Sequence, residues 1–169
     1  MEHFRFFNQY NKEFKDVSAQ CSISNQKLEI SFTLDPNLDF DGVPNKKGHL
    51  NNSTITREIK LWEDTCFELF LKNEVGPDYF EVNFSPIKAK WNAFYFSSYR
   101  TELKETEKIK FIQSSYWPGK INLQLEIPEG NFQIHPKIVL FQSLSGEVLY
   151  LSDFFHPKEG PDFHLFSIS

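Results

Sequence analysis

Between Leu61 and Arg100 the chain reads LWEDTCFELFLKNEVGPDYFEVNFSPIKAKWNAFYFSSYR, and apolar residues recur there at every second position. Thr65, Phe67, Leu69 and Leu71 alternate with Cys66, Glu68 and Phe70; Phe80, Val82 and Phe84 alternate with Tyr79, Glu81, Asn83 and Ser85. Phe94 and Phe96 alternate with Trp91, Ala93 and Tyr95. A period of two puts one set of side chains in a core and the other on the opposite face, so the stretch predicts three antiparallel strands.

Loop positions suggest a register. Folding about Val75–Gly76 sets Phe67, Leu69 and Leu71 against Phe84, Val82 and Phe80, and Glu68 against Asn83. Folding the next hairpin about Lys88 sets Val82 against Phe94 and Phe80 against Phe96. That leaves an open outer platform of Glu68, Phe70, Glu81, Asn83, Trp91 and Tyr95 around Ala93. Carboxylates and an amide ringed by aromatics suit a hydroxyl-rich ligand, since the polar groups bond hydroxyls and ring faces cover C–H surfaces.

The rest of the chain continues the pattern. Phe4–Tyr10 reads as an edge strand, Val17–Ile23 and Lys27–Leu34 as a hairpin, and Asp35–Ser53 as a polar loop. Ile55–Trp62 extends towards the central meander; Lys108–Tyr116 with Lys120–Ile127, and Pro136–Ser143 with Glu147–Leu151, form further hairpins. The tail from Asp153 is irregular. Short strands with turn signals at regular spacing predict an all-β, antiparallel two-sheet β-sandwich, with residues 1–169 as a single domain.

Several motifs resemble one family. Leu61-Trp62, Thr65-Cys66-Phe67-Glu68, the run Tyr79 to Pro86, Trp91 with Phe94 and Phe96, and Tyr99-Arg100 are similar to DOMON-like domains of the family 9 carbohydrate-binding-module type. His156-Pro157 and Pro161-Asp162-Phe163-His164 resemble that branch's ending. The resemblance implies a jelly-roll-like sandwich, with Trp62 as a stacking ring and Glu68 as an acceptor of sugar hydroxyl bonds. It also implies a second clamp ring near the C-terminus, where this chain has no Trp beyond Trp117; Phe154, Phe155 or Trp117 would have to substitute. The expected ligand-binding set is Trp62, Glu68, Glu81, Asn83, Trp91, Tyr95, Arg100, His156 and His164. Arg100 is also readable as a structural partner of an acid at the sheet edge.

The same residues admit competing chemistries. Glu68 and Glu81 on neighbouring strands would lie roughly 7–8 Å apart on the diagonal, which overlaps the separation of inverting glycosidases. A flat sheet face would desolvate neither carboxylate, so the expectation is a non-catalytic domain for a saccharide or small polyol, with a weak glycoside hydrolase or metal-dependent enzyme as an alternative. His156, Asp162 and His164 match no metal motif with a mechanism attached. Asp35, Asn37, Asp39 and Asp41-Gly42 are spaced like the head of a calcium loop, but position twelve falls on Gly48 where a bidentate Glu is needed. No cofactor is therefore expected, calcium being the alternative; with Met1 the only methionine, a Met/His haem site is disfavoured.

A formal charge of −5 argues against a nucleic-acid partner. No apolar run reaches the ~20 residues of a membrane span. The opening MEHFRFFNQY carries no secretory pattern, and Cys21 and Cys66 form no motif, so reduced thiols and a cytoplasmic location are expected. A protein partner on the same sheet face is the remaining alternative.

Overall fold

The computed structural model describes residues 1–158 and 160–164. Thirteen strands lie among them: β1 Glu2–Phe7, β2 Glu13–Ser24, β3 Lys27–Leu34, β4 Gly48–Asn51, β5 Thr56–Arg57, β6 Cys66–Asn73, β7 Tyr79–Ser85, β8 Lys90–Phe96, β9 Lys104–Glu105, β10 Lys110–Trp117, β11 Lys120–Glu126, β12 Phe132–Gln142 and β13 Glu147–Ser152. Their hydrogen-bonded order is β4-β10-β11-β3-β2-β1-β13-β12-β6-β7-β8-β5, with β9 on β8. Pairing is antiparallel apart from β5 on β8. β1 and β13 meet at one pair, Phe7 with Ser152, and there the sheet turns from one layer into the other. The architecture is an all-β, curled, jelly-roll-like sandwich.

The two layers bury the alternating sets against each other. Phe32 of β3 meets Phe67 of β6 with ring centres 5.2 Å apart, and Phe111 of β10 lies 5.7 Å from Trp91 of β8 and 6.0 Å from Phe84 of β7. Each fully buried ring of this kind stabilises the fold by roughly 1.5–3 kcal/mol, which makes the interlayer contact the main source of stability.

The β6–β7 register has Phe67 opposite Phe84, Glu68 opposite Asn83 and Leu69 opposite Val82, as the alternation predicts. The β7–β8 register differs by one residue: Val82 pairs with Ala93, Phe84 with Trp91 and Phe80 with Tyr95. A four-residue turn, Pro86 to Ala89, causes this, with Ala89 N–H donating to the Pro86 carbonyl and Ala89 at φ 53°. Such a slip exchanges the faces of the whole strand. Trp91, Ala93 and Tyr95 consequently face the core, and Asn92, Phe94 and Phe96 take the outer face.

Three further expectations are corrected. β1 is internal, between β2 and β13, because Phe4 and Phe6 pack into the core. The polar loop contains β4, which completes the edge beside β10 with Leu50 buried. Only Thr56–Arg57 of the 55–62 stretch is strand, after which Lys60 at φ 61° leads into a 3₁₀ turn, Leu61–Glu63.

Candidate functional site

The outer face of β12, β6 and β7 carries two polar rows: Lys137 beside Glu68 beside Asn83, then His135 beside Phe70 beside Glu81 beside Phe94. This face is roofed rather than open. Leu61 packs with Cys66 and Val139, which seats the 3₁₀ turn and brings Trp62 edge-on to Phe94 at 6.2 Å. From the other side the tail returns over the sheet. Asp162 accepts the Tyr99 hydroxyl at 2.5 Å and the His164 N–H at 2.9 Å, and pairs with the Arg100 guanidinium at 3.0 Å. The Tyr79 hydroxyl accepts the Arg100 N–H at 3.3 Å and donates to His164 Nδ1 at 2.7 Å. His164 Nε2 lies 3.8 Å from Glu81.

A cleft of about 420 Å³ remains between roof and sheet. Trp62, Phe70, Phe96, Tyr150 and Phe163 supply its rings; Glu68, Glu81, Arg100 and His164 supply its polar groups. Burial dominates the electrostatics. It drives the Glu68 carboxyl well above the ordinary carboxylate range, with Glu81 adding to the rise and Lys137 opposing it. It pushes Glu81 up to about 7, against the Asn83 hydrogen bond and the more distant Arg100 charge. Asn83 Nδ2 donates to Glu81 at 2.8 Å, whereas Asn83 Oδ1 is buried without a partner among the described residues. Glu68 is only 3 % exposed. Burial lowers His164 to about 4, so its contact with Glu81 is that of a neutral ring.

Behind the cleft, Lys137 is fully buried. It bonds Asp153, whose other oxygen meets His135 Nδ1 at 2.9 Å, and its ammonium lies 3.7 Å from the Phe154 ring centre. Burial lowers the Lys137 ammonium to about 8, with the Asp153 charge opposing the fall.

Of the residues singled out from sequence, the structure brings Trp62, Glu68, Glu81, Arg100 and His164 to one cleft, with Asn83 in the floor beneath. Trp91 and Tyr95 are corrected: both lie on the core side, Trp91 under the Arg57 guanidinium at 4.6 Å and Tyr95 against Phe80 at 5.3 Å. His156 sits behind the wall, its Nε2–H donating to the Tyr150 carbonyl at 3.1 Å and its ring 5.6 Å from Phe163. The expectation of an open face that leaves both carboxylates hydrated is overturned by the roof.

Phe163 is the ring that the sequence reading did not assign. Phe154 covers Lys137, Phe155 is 62 % exposed against Phe7, and Trp117 lies on β10 in the other layer. The Asp-Phe-His triplet carried the signal, because a ring between two residues that bond the sheet is held over it. His156, Asp162 and His164 each have separate partners, and no cluster of three metal-ligating residues occurs among the described residues. In the candidate calcium loop, Asp35 accepts its own turn's Asn37 N–H at 2.8 Å and Asp41 accepts Ser143 N–H at 2.5 Å.

A larger depression of about 490 Å³ lies on the outer face of the other layer. No Phe, Tyr or Trp ring lines it, and its side chains bond one another, Gln113 to Gln124 to Glu29 and Ser31 to Asn122 to Ser115. The smaller cleft, with desolvated carboxylates and rings, is the stronger site.

No family model and no curated protein matches the chain. A solved structure from Bacteroides uniformis ATCC 8492, provisionally designated a carbohydrate-binding protein, is similar over 95% of this chain and 82% of that one, with a TM-score of 0.56 and 12% sequence identity. The likeness is one of fold, a jelly-roll-like β-sandwich. No helix among the described residues is long and apolar enough to cross a membrane.

Proposed function

We propose that residues 1–169 act as one non-catalytic binding domain of the DOMON-like, family 9 carbohydrate-binding-module type, taking a saccharide or small polyol in the roofed cleft. The observation that carries this reading is the meeting of Trp62 and the Glu68 carboxylate, six residues apart in sequence, in one concave site with further rings around them. A sugar presents C–H faces to rings and hydroxyls to acceptors, and the cleft offers both. The provisional designation of the Bacteroides protein points the same way. The roof leaves no flat sheet for a partner chain, which favours a small ligand.

Thermal-shift screening against monosaccharides and oligosaccharides tests this. A ligand at about 100 times its Kd adds about 2.7 kcal/mol of apparent stability, and Trp62→Ala should abolish most of that gain. A comprehensive panel without a shift rejects the reading.

One observation favours hydrolysis as a second reading: two buried carboxyls stand on neighbouring strands, Glu81 raised to about 7, and glycoside cleavage uses a carboxyl with a raised pKa as its acid beside a second one. Incubation of bound oligosaccharides, with product analysis, separates the two. Turnover that disappears in Glu81→Gln would establish an enzyme.

A further inference from the structure

Acidic groups outnumber basic ones around the cleft. Four surround it, Glu68, Glu81, Asp153 and Asp162, against two cations, Lys137 and Arg100, and burial holds the two glutamates towards their neutral form. Each cation is already bonded to an aspartate: Lys137 to Asp153, Arg100 to Asp162. Glu68 and Glu81 are the two left over, and they are the two that line the cavity. Glu68 is buried there at 3 % exposure, and the neighbouring Asn83 Oδ1 is buried without a donor among the described residues. The site therefore holds two acids that no cation is bonded to, and one amide oxygen that lacks a donor.

Its walls fit the same deficit. Trp62, Phe70 and Phe163 line the cavity with the carboxylates. Ring faces attract a cation, most strongly where water is excluded. The fold already uses this contact next door, where the Lys137 ammonium sits on Phe154.

We propose that the cleft takes a ligand bearing a protonated amino group, an amino sugar or related aminopolyol, whose ammonium meets Glu68 and Glu81 against the surrounding rings while its hydroxyls take the remaining polar groups. The inference rests on the saccharide reading above and specifies its ligand class. A neutral sugar would leave one carboxyl to be neutralised by a proton; an ammonium supplies that charge itself and displaces the proton. The displacement gives the pH dependence its sign. Between about pH 5.5 and 7 an amine stays protonated while Glu81 becomes easier to ionise, so amine affinity rises and neutral-sugar affinity does not.

The groups facing the pair are Lys137 on β12, the Cys66 thiol on β6, Tyr79 on β7, Arg100 after β8, and Asp162 and His164 in the tail. Burial keeps Cys66 and Tyr79 neutral through this range, Lys137 holds most of its charge below its value of about 8, and His164 stays neutral.

The test is titration calorimetry on the full chain with glucosamine, galactosamine and mannosamine, each beside its neutral parent hexose and its N-acetyl derivative. The expected result is at least about tenfold tighter binding of an amine than of both its neutral forms near pH 7, with the preference shrinking towards pH 5.5. Glu68→Gln should reduce the amine-to-neutral affinity ratio, with circular dichroism verifying that the variant is folded. Neutral sugars binding as tightly as amines would overturn this inference and leave the saccharide reading standing. An absence of binding by all nine compounds overturns this inference too, and the wider glycan panel then decides the saccharide reading separately.

Discussion

Glu81 carries a proton in the folded protein through a range in which an unfolded chain has lost it. Its folded value is about 7 against an ordinary 4.5, so the folded state gains stability as pH falls through that window and loses it as pH rises. Complete ionisation costs on the order of 3 kcal/mol by the free-energy equivalent of the shift. His164 works in the opposite sense: held at about 4 against 6.5, it refuses a proton that the unfolded chain accepts, and so withdraws stability as pH falls from 6.5 towards 4. The parent protein's own profile is therefore muted where the windows overlap. Glu81→Gln isolates one term. Relative to the parent, it should become more stable by roughly 2–3 kcal/mol between about pH 4.5 and 7.5, read from urea midpoints at each pH. A pH-independent difference would mean that Glu81 is hydrated.

The hairpin of β2 and β3 turns through Asn25 and Gln26, at φ 50° and 62°. Two successive residues with positive φ define the turn that matches strand twist, and glycine is strongly favoured at the second position. Gln26 is exposed, so Gln26→Gly relieves its backbone without disturbing packing and should raise stability by about 1 kcal/mol. A lower denaturation midpoint would contradict that. The same local chemistry explains which pairings were legible in the sequence. In β6 and β7 the core positions are apolar and the opposite positions include Glu68, Glu81 and Asn83, so one register satisfies both strands. In β8, Trp91, Ala93 and Tyr95 compete with Phe94 and Phe96, and alternation sets no phase. The left-handed Ala89 decides it, and a backbone angle at an alanine leaves no mark on composition. That Trp62, Glu68, Glu81, Arg100 and His164 share one cleft could be anticipated from the motifs that carry them. Their burial could not be, because it depends on tail contacts across long sequence separations, Asp162 to Tyr99 and His164 to Tyr79.

At the scale of the molecule, a two-layer core is overlaid by a small outer layer tied down through Asp162. Losing that carboxylate removes its bonds to Tyr99, Arg100 and the His164 N–H while leaving the Phe32–Phe67 contact untouched. Asp162→Ala should therefore cost about 1–3 kcal/mol locally, seen as faster amide exchange at Arg100 and His164 with β6 and β7 amides unchanged. Uniform acceleration across the sheet would mean that the tail is integral to the core.

The strands at the two ends of the hydrogen-bonded order are β4, with four residues, and β5, with two. Unpaired backbone at the rim of a sheet is a template on which a second molecule can add its own strand, and a long straight rim invites fibrils. At these two ends the rim offers too little length for such growth. On β13, which meets β1 at one pair, the Gln9 side chain takes the Val148 carbonyl and the Tyr150 N–H. Strand addition at these places should therefore stay weak even in concentrated solution.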